Sequence, residues 1–349
     1  MTQAQNAVGK PREWWGLVHV AQGAAIYDTA KHMESIGFDG VTALQIYAPP
    51  FVPLAVAAVA THRVRIATGI AVAATRSPLE TAMLAMDLDR VSQGRFILGL
   101  GTGVLSVNMG SYGLPEYKLV AHLKDTVGAV RHIVSGAHKG LAPYAGTHFK
   151  ADFKETMLTP PPARERIPIW IAALRDRVLQ LGLEVADGLM LHALWSPGYT
   201  ADMGPAINAS LQKYRRSRQD IEINAWPWVA INNDLRQGLD DSRPTVAAYA
   251  GIKAYEDFFE ARGFLKEARI CQQAEQNHSD VTSILHLVPD EMVQAFVACG
   301  SIDEVLEQLE PYWTTADSLC PMTPYRQLST EKLYFYGGGV LQLVAAAKK

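Results

Sequence analysis

Cysteine is scarce in this sequence. The 349 residues include 3 cysteines, namely Cys271, Cys299 and Cys320, which are far apart and odd in number. This distribution excludes a disulfide framework and a C-x-x-C metal site, and it favours buried thiols in a reducing compartment. Residues 1–12 are polar and carry no apolar signal core. We therefore expect a cytoplasmic protein.

Excess charge and long apolar runs are also missing. The net charge is -3, from 32 Lys and Arg against 35 Asp and Glu. No basic patch of the kind that binds nucleic acid or an acidic membrane surface is visible. No uncharged apolar run reaches about 18 residues, the length that a membrane helix needs. We expect neither a nucleic-acid partner nor a membrane partner.

The sequence lacks the motifs of several common enzyme classes. It has no H-E-x-x-H, no paired Cys/His cluster and no carboxylate-rich loop with metal-ligand spacing, so no metal is expected. It also has no G-x-S-x-G turn and no G-x-x-x-x-G-K-[ST] loop. Hydrolase and nucleoside-triphosphatase functions are therefore without support.

The sequence does contain an alternation of short apolar runs and helical segments. The predicted strands cover residues 14–20, 40–44, 64–70, 95–101, 167–172, 188–192, 221–231 and 318–322. The predicted helices cover residues 24–36, 50–61, 77–91, 117–135, 177–186, 199–218, 243–260, 302–312 and 329–347, the last interrupted by three glycines at 337–339. Such alternation predicts parallel strands joined by right-handed crossovers.

About eight strand–helix units can be counted, and eight units close into an α/β fold, the (β/α)8 TIM barrel. A doubly wound open sheet is the alternative. Its G-x-G-x-x-G fingerprint after the first strand is absent, because residues 20–23 read VAQG.

Two segments depart from the alternation. Residues 140–166 contain Thr159 followed by three prolines and show no clear periodicity. Residues 264–299 form an irregular helical stretch. We interpret both as insertions and not as linkers, so residues 1–349 are predicted to form one domain.

Three side chains that follow predicted strands are candidate catalytic residues, because barrel active sites lie at the carboxyl ends of the strands. His19 and Gln45 end the first and second strands, where either could point into the barrel mouth. His192 ends the sixth strand. A histidine there is either an acid–base group or a hydrogen-bonded core residue.

Small residues follow three other strands. Gly69 ends the third strand, and residues 99–103 (GLGTG) end the fourth. Glycine allows close backbone approach to a ligand, although a tight turn or a simple strand end explains both segments as well. Ala172 and Ala173 precede a helix amino terminus that suits a phosphate, and Arg175 could add hydrogen bonds, whereas Asp176 opposes an anion or caps the helix.

Aromatic residues are numerous in the second half of the chain. They either wall an apolar substrate pocket or belong to the core. The residues concerned are Trp195, Tyr199, Trp226, Trp228, Tyr249, Tyr255 and Phe258.

Several ordered motifs resemble the bacterial luciferase-like monooxygenase superfamily, and within it the branch that uses the 5-deazaflavin coenzyme F420. The resemblance spans most of residues 16–192 and is looser in the last third of the chain. It rests on GFDG at 37–40, IATGI at 66–70, RSPLETA at 76–82, LDRVSQGRFILGLGTG at 88–103, IPIWIAA at 167–173 and EVADGL at 184–189.

The resemblance implies a cofactor site. A non-prolyl cis peptide bond between Gly69 and Ile70 would form a bulge behind the cofactor ring, and the backbone of Thr102 and Gly103 would line that ring. Ala172, Ala173 and the start of the next helix would hold the cofactor phosphate. The resemblance also implies that the 140–166 insertion covers the barrel mouth and that the chain forms a homodimer.

Three positions depart from the family pattern. F420-using dehydrogenases typically carry Asp-His where this chain has Gln45-Ile46, and sugar-phosphate dehydrogenases carry Glu where it has Val104. Without those acid–base groups, alcohol oxidation by that mechanism is not expected. The Gly-Pro usual before the fifth helix is replaced by Arg175-Asp176.

The implied function is hydride transfer between F420 and a small, mostly apolar organic substrate. One alternative is an FMN-dependent monooxygenase supplied by a separate flavin reductase. A flavin-binding barrel without catalytic activity is the alternative from another class. A phosphate-binding isomerase on a generic barrel is disfavoured, because the motifs lie on strands three to five instead of seven and eight.

Overall fold

The computed structural model describes residues 5–6, 9–19, 22–46, 48–277 and 281–349. Its strands are β1 (Glu13–Leu17), β2 (Gly40–Ala43), β3 (Arg65–Thr68), β4 (Ala71–Val72), β5 (Phe96–Gly101), β6 (Tyr144–Ala145), β7 (Lys150–Ala151), β8 (Ile169–Ala173), β9 (Gly188–Leu191), β10 (Glu222–Ala225), β11 (Trp228–Ile231), β12 (Val297–Gly300) and β13 (Ser318–Leu319).

The α-helices alternate with most of these strands. They are α1 (Ala25–Ile36), α2 (Phe51–Ala60), α3 (Pro78–Val91), α4 (Leu105–Gly110), α5 (Leu119–Gly136), α6 (Asp176–Val185), α7 (Pro197–Lys213), α8 (Leu235–Ala250), α9 (Glu256–Glu260), α10 (Leu265–Gln276), α11 (Asp290–Phe296), α12 (Ile302–Leu309) and α13 (Thr330–Ala347).

The chain divides into two compact units. The amino-terminal unit contains residues 15–190 and 208–223, and the carboxy-terminal unit contains the described residues of 1–14, 191–207 and 224–349. The prediction of one domain over residues 1–349 is not tested by this division and stays a prediction.

The amino-terminal unit is built on a parallel sheet. Its strands follow the order β1, β2, β3, β5, β8 and β9, with β4 paired to β5 as well. Every residue of β2, β5 and β9 is buried. Strands buried on both faces are typical of parallel sheets covered by helices, and this explains why they appear in the sequence as continuous apolar runs.

Two tryptophans fill the amino ends of these strands. The rings of Trp15 and Trp170 lie 5.2 Å apart, and the guanidinium of Arg65 stands 5.1 Å and 5.5 Å from their centroids. A Cβ on Gly40 would come within 2.4 Å of the Trp15 ring, and one on Gly188 within 2.3 Å of the Trp170 ring. Both glycines are therefore required by packing, which stabilises this end of the sheet.

The opposite end contains a bulge. The chain takes four steps from Ala67 to Ala71 while its partner strand takes three steps from Ile97 to Leu100, because Ala67 pairs with Ile97 and Ala71 with Leu100. One extra residue therefore lies on the β3–β4 side, as in a β-bulge. This segment contains a cis peptide bond between Gly69 and Ile70, which confirms the bond implied by the family resemblance.

A close backbone approach fixes this bulge. A Cβ on Gly99 would lie 1.8 Å from the carbonyl oxygen of Thr68. The Thr68 hydroxyl donates a hydrogen bond of 2.7 Å to the Gly99 carbonyl. Only glycine fits at position 99, so β3 and β5 approach each other more closely here than two side-chain-bearing strands could.

The 140–166 insertion is held against the helices by two buried carboxylates. Asp125 on α5 accepts hydrogen bonds from the Tyr144 hydroxyl at 2.7 Å and from the backbone N–H of His148 and Phe149. Burial alone would raise the pKa of Asp125, but these hydrogen bonds outweigh it and lower that pKa. Asp89, which is 0% exposed, pairs with Arg164 at the end of the insertion.

The carboxy-terminal unit contains short parallel pairings. β13 pairs with β10 and with the first two residues of β1, and β11 pairs with β12 in a separate two-stranded sheet. Trp14 packs edge-on against Trp313 with their centroids 5.5 Å apart. The three cysteines are free and buried, as expected.

Several sequence predictions for this unit were wrong. The predicted strand 221–231 is two strands, β10 and β11, separated at Pro227, which has no N–H for a sheet ladder. The predicted irregular stretch 264–299 ends in β12, whose four residues are all buried, while residues 278–280 lie outside the described residues. The predicted interruption of the last helix at residues 337–339 is absent, because α13 is continuous.

The sequence did not predict two short elements of the amino-terminal unit. The short helix α4 and the β6–β7 hairpin were not predicted, because neither is long enough to show a hydrophobic period. The predicted first strand extends to Val20, which lies outside the described residues.

A pair of glycine substitutions tests the close approach at β5. Gly99→Ala is expected to lower the free energy of unfolding by about 3 kcal/mol or more, because its methyl group meets a backbone carbonyl. Gly338→Ala is the control: a Cβ there meets nothing within 4 Å inside α13, so it should stabilise by about 1 kcal/mol. Urea unfolding of both variants checks this, and equal stabilities would contradict the close approach.

Candidate functional site

The carboxyl ends of β4, β5 and β8 meet around small residues. A Cβ on Gly101 would lie 2.8 Å from the side chain of Ile70 and 3.4 Å from the Cβ of Ala172. Ile70 and Ala172 are half-buried, whereas Ala173 is buried. The structure thus brings Ile70, Gly101 and Ala172 together. We call the segments 69–70 and 101–103 with Ala172 the strand-end site.

The loop after β5 is shaped by a buried asparagine. Asn108 on α4 is 1% exposed, and its amide donates to the carbonyl of Thr102 at 2.9 Å and to the hydroxyl of Tyr117 at 2.6 Å. Gly103 has a φ of 63°, and a Cβ there would lie 2.9 Å from both Asn108 and Val72. Glycine is therefore required, and the loop presents backbone at this position.

The insertion packs beside the same loop. The ring of His122 on α5 stands 4.9 Å from the Tyr117 ring and 4.9 Å from the Phe149 ring of the insertion. Burial lowers the pKa of His122, and the charge of His148 lowers it further. Tyr117 and His122 together therefore connect the β5 loop to the insertion.

Gln45 is the centre of a polar network at the end of β2. Its Oε1 accepts the N–H of Val72 at 2.9 Å and a guanidinium N–H of Arg76 at 3.1 Å. Its Nε2 donates to the hydroxyls of Thr75 at 3.3 Å and Tyr112 at 3.1 Å. The amide is thus engaged on both sides, and it ties three loops together. We call Gln45, Thr75, Arg76 and Tyr112 the Gln45 cluster.

The proposed phosphate contact lies at the start of α6. Arg175 is exposed and occupies the N-cap position, without a hydrogen bond from its side chain to the helix. Asp176 is the first residue of the helix, so it does not cap it, and its carboxylate accepts from Gln180 at 3.3 Å. Arg175 follows Ala172 by three residues in the sequence, and its role in binding the cofactor stays a prediction.

His19, the candidate histidine after β1, is exposed, whereas Gln45 is half-buried. His19 is an exposed residue that follows the backbone hydrogen bond from Val18 to Thr42. Loss of water around part of its ring lowers the pKa of His19. A catalytic role for His19 stays a prediction.

His192 lies in the carboxy-terminal unit within an aromatic cluster formed by His192, Trp228, Tyr249 and Tyr255. Its ring stands 5.6 Å from that of Tyr249 and 5.9 Å from that of Tyr255, and these two tyrosine rings stack at an angle of 17°. Trp228 packs edge-on against Tyr249 at 4.7 Å. Three of the aromatic residues that the sequence suggested for a pocket wall, Trp228, Tyr249 and Tyr255, thus lie in one cluster with His192.

Burial lowers the pKa of His192 to about 4, so its ring is neutral at physiological pH. Its Nδ1 lies 3.2 Å from the backbone N–H of Leu194, which donates to it. A neutral ring that accepts at Nδ1 carries its proton on Nε2. His192 is therefore arranged as a hydrogen-bond donor through Nε2.

Sequence reasoning missed part of this arrangement. Asn108 and Tyr112 lie in a segment for which no element was predicted, and Arg76 was quoted as part of a motif without a role. The signal that could have found Asn108 is its position five residues after Gly103, where a polar side chain can fold back on the glycine turn.

The described residues contain neither a metal-binding cluster nor a membrane-spanning helix. No group of three or more His, Cys, Asp or Glu side chains is placed to hold a metal ion there. Within the same residues, no helix combines the length and apolar character required to cross a membrane.

Solved structures share this architecture. The coenzyme F420-dependent tetrahydromethanopterin reductase from Methanopyrus kandleri matches with a TM-score of 0.76 over 98% of both chains, at 20% identity. The oxygenating constituent of 3,6-diketocamphane monooxygenase from Pseudomonas putida, solved with FMN, matches with a TM-score of 0.65 over 97% of both chains, at 14% identity. The likeness confirms the predicted (β/α)8-barrel fold.

The sequence identifies the family within this fold. The sequence model of the luciferase-like monooxygenase family matches residues 9–317, so the chain belongs to this family. A relative, the 5,10-methylenetetrahydromethanopterin reductase of Archaeoglobus fulgidus, is 26% identical over 263 residues, which cover 73% of this chain and 75% of the relative. The family is the one that the motifs predicted.

The neutral state of His192 gives a pH-dependent prediction. The pKa of His192 in the folded state lies below the ordinary histidine value of 6.5, so the unfolded chain binds more protons and the free energy of unfolding falls as the pH drops from 6.5 towards 4. Between pH 7.5 and pH 5 the loss from this group is about 2 kcal/mol. His192→Gln keeps a hydrogen-bonding side chain but cannot titrate, so it should lose about 2 kcal/mol less over this range.

Urea unfolding of both proteins at the two pH values measures this difference. All other titrating groups are shared, so they cancel in the comparison. Equal losses in the wild type and in His192→Gln would show that His192 titrates normally.

Proposed function

We propose that this protein is an F420-dependent oxidoreductase that transfers hydride between F420 and a small, mostly apolar organic substrate. The observation that carries the proposal is the strand-end site, where Ile70 and Ala172 both lie close to Gly101, beside the backbone-lined turn at Gly103. A surface of small residues and backbone suits a flat ring system with polar edges.

The residues present fit such a group. At Gly101 and Gly103, neighbouring atoms occupy the space of a Cβ within 3 Å, so no side chain from these positions can stand over the ring. Ala172 leads into the amino terminus of α6, whose free N–H groups and dipole favour an anionic group, while its first residue Asp176 opposes one and Arg175 would supply the compensating charge. When bound, F420 would supply the two-electron hydride chemistry, and the protein would bind and orient it.

Names of relatives support F420 in preference to FMN. The name of the Methanopyrus kandleri structure states coenzyme F420 and a reductase. The name of the Archaeoglobus fulgidus relative states a reductase without its cofactor, which supports the reductase class. The second candidate is an FMN-dependent monooxygenase with a separate flavin reductase, which is favoured by the FMN complex of the Pseudomonas putida enzyme.

The candidate catalytic residues take different roles in this proposal. His192 would donate a hydrogen bond from Nε2 to an electronegative substrate atom, because its low pKa keeps it neutral. Gln45 would position neighbouring groups, since both sides of its amide are already engaged. His19, which is exposed, would exchange protons with water.

The proposed function also bears on the substrate, the oligomeric state, the location and the partner of this protein. We propose a small-molecule substrate, a homodimer and a cytoplasmic location for this chain, and a partner flavin reductase only if FMN is the cofactor. Gel filtration with light scattering tests the homodimer.

Fluorescence titrations of the purified apoprotein with F420 and with FMN test the cofactor. We expect tight binding of F420 and weak binding of FMN. Ala172→Phe should weaken F420 binding by about tenfold or more, because its ring fills the strand-end site. Ala25→Phe is the matched control at an exposed position on α1. Tight binding of FMN alone would favour the monooxygenase, and binding of neither would favour the barrel without catalytic activity.

A second substitution tests the phosphate contact. Arg175→Ala should weaken F420 binding by about tenfold, the loss expected when a hydrogen bond from a cation to a phosphate is removed. Arg177→Ala is the matched control, because Arg177 is exposed on the same first turn of α6. If both variants bind F420 as the wild type does, Arg175 has no role in holding the phosphate.

A further inference from the structure

Arg76 is a half-buried cation held by neutral side chains. One terminal nitrogen donates to the Thr75 hydroxyl at 3.1 Å, and the other donates to Oε1 of Gln45 at 3.1 Å. Among the described residues, no carboxylate lies within the 4.0 Å of an ion pair with Arg76. A guanidinium has five N–H donors, and these bonds engage two of them.

The guanidinium is fixed in orientation as well as in position. Its carbon lies 5.1 Å from the centroid of the Phe51 ring, a cation–π contact. Gln45 is itself oriented by the N–H of Val72 and the hydroxyl of Tyr112. A planar fork that is held in this way loses little side-chain entropy when it binds a planar anion.

The charge of Arg76 is only partly balanced by its surroundings. Burial lowers its pKa below the ordinary value, while Glu80 and Tyr112 act in the opposite direction. Glu80 is exposed on the first turn of α3, so water screens its charge. A partly desolvated cation with neutral partners gains most from an incoming negative group.

Arg76 is linked to the strand-end site through Gln45 and Val72. The N–H of Val72 donates to Gln45, and its Cγ1 lies 2.9 Å from the position that a Cβ on Gly103 would take. The cation and the backbone-lined turn thus belong to neighbouring parts of the same unit.

We propose that Arg76, oriented by Gln45, binds an oxyanion, a carboxylate or a phosphate, of the small molecule that occupies the strand-end site. The assignment to that molecule rests on the proposed function, whereas the anion site itself does not. The oxyanion belongs either to the substrate or to the cofactor, and the two sources differ in the experiment below.

Thermal unfolding in sodium acetate or sodium phosphate, against sodium chloride at equal ionic strength, measures anion binding without any flavin. For a site with a dissociation constant of about 10 mM, 100 mM anion should raise the Tm of the wild type by about 2 °C. Arg76→Gln should lose this shift. Arg215→Gln, at an exposed arginine of the same unit that has no role in either proposed site, should keep it.

Gln45→Glu provides a second variant that does not remove the arginine. Its carboxylate keeps an acceptor for the N–H groups of Val72 and Arg76 and supplies a negative charge beside the guanidinium. It should therefore abolish the anion shift by internal pairing, which a purely structural role of Arg76 would not predict. If Arg76→Gln does not fold, the anion shift of Gln45→Glu tests the proposal in its place.

The anion shift and the cofactor affinities together test the proposal and distinguish the two sources of the oxyanion. The proposal is overturned if the wild type shows no shift beyond that in chloride, or if a folded Arg76→Gln or Gln45→Glu variant retains the full shift. If the shift is lost and F420 and FMN affinities are unchanged, Arg76 binds the oxyanion of the substrate. If the shift is lost and cofactor affinity falls about tenfold or more, Arg76 binds the oxyanion of the cofactor. A loss of the shift in a protein that binds neither flavin would refute the proposed function alone.

Discussion

The arrangement of the strand-end site depends on the absence of a side chain at Gly99. The carbonyl of Thr68 occupies the space that a Cβ at position 99 would need. Because β3 comes so close to β5 at this point, the chain inserts one extra residue before it pairs again as β4. Within this bulge, the side chain of Ile70 lies close to Gly101. A backbone contact between two strands therefore sets the surface to which we assign the cofactor.

The two ends of the amino-terminal sheet have different physical roles. At the amino ends, Trp15 and Trp170 with Arg65 between them fill the space completely, and neighbouring glycines exist to make room for the rings. At the carboxyl ends, glycines allow neighbouring atoms to pack closely against the backbone, and polar side chains such as Gln45 connect the loops. Packed side chains thus occupy the amino ends of the strands, and the surface to which we assign the cofactor lies at their carboxyl ends, as is general for barrels of this type.

The sequence predicted what depends on local pattern and failed where tertiary contacts decide. Continuous apolar runs located the buried parallel strands, and ordered motifs located the Gly69–Ile70 bulge. β12 was missed because Val297–Gly300 is too short to be distinguished from the end of the preceding helix. The α13 glycines were overvalued as helix breakers, since packing of Gly339 against Ile231 compensates for their low propensity. The contacts of Gln45 link residues about 30 positions apart, which no local pattern reveals.

The neutral Gln45 affects the charge balance of its surroundings and therefore the chemistry that we propose. A carboxylate at position 45 would pair with Arg76 and could accept a proton from an alcohol. The amide does neither, so Arg76 keeps its positive charge available and this position supplies no base. A cation without a neighbouring base favours binding of a negatively charged molecule and stabilises negative charge that develops as an electrophile accepts hydride. Within the proposed function, a glutamine at position 45 thus suits reduction of a substrate better than oxidation of an alcohol.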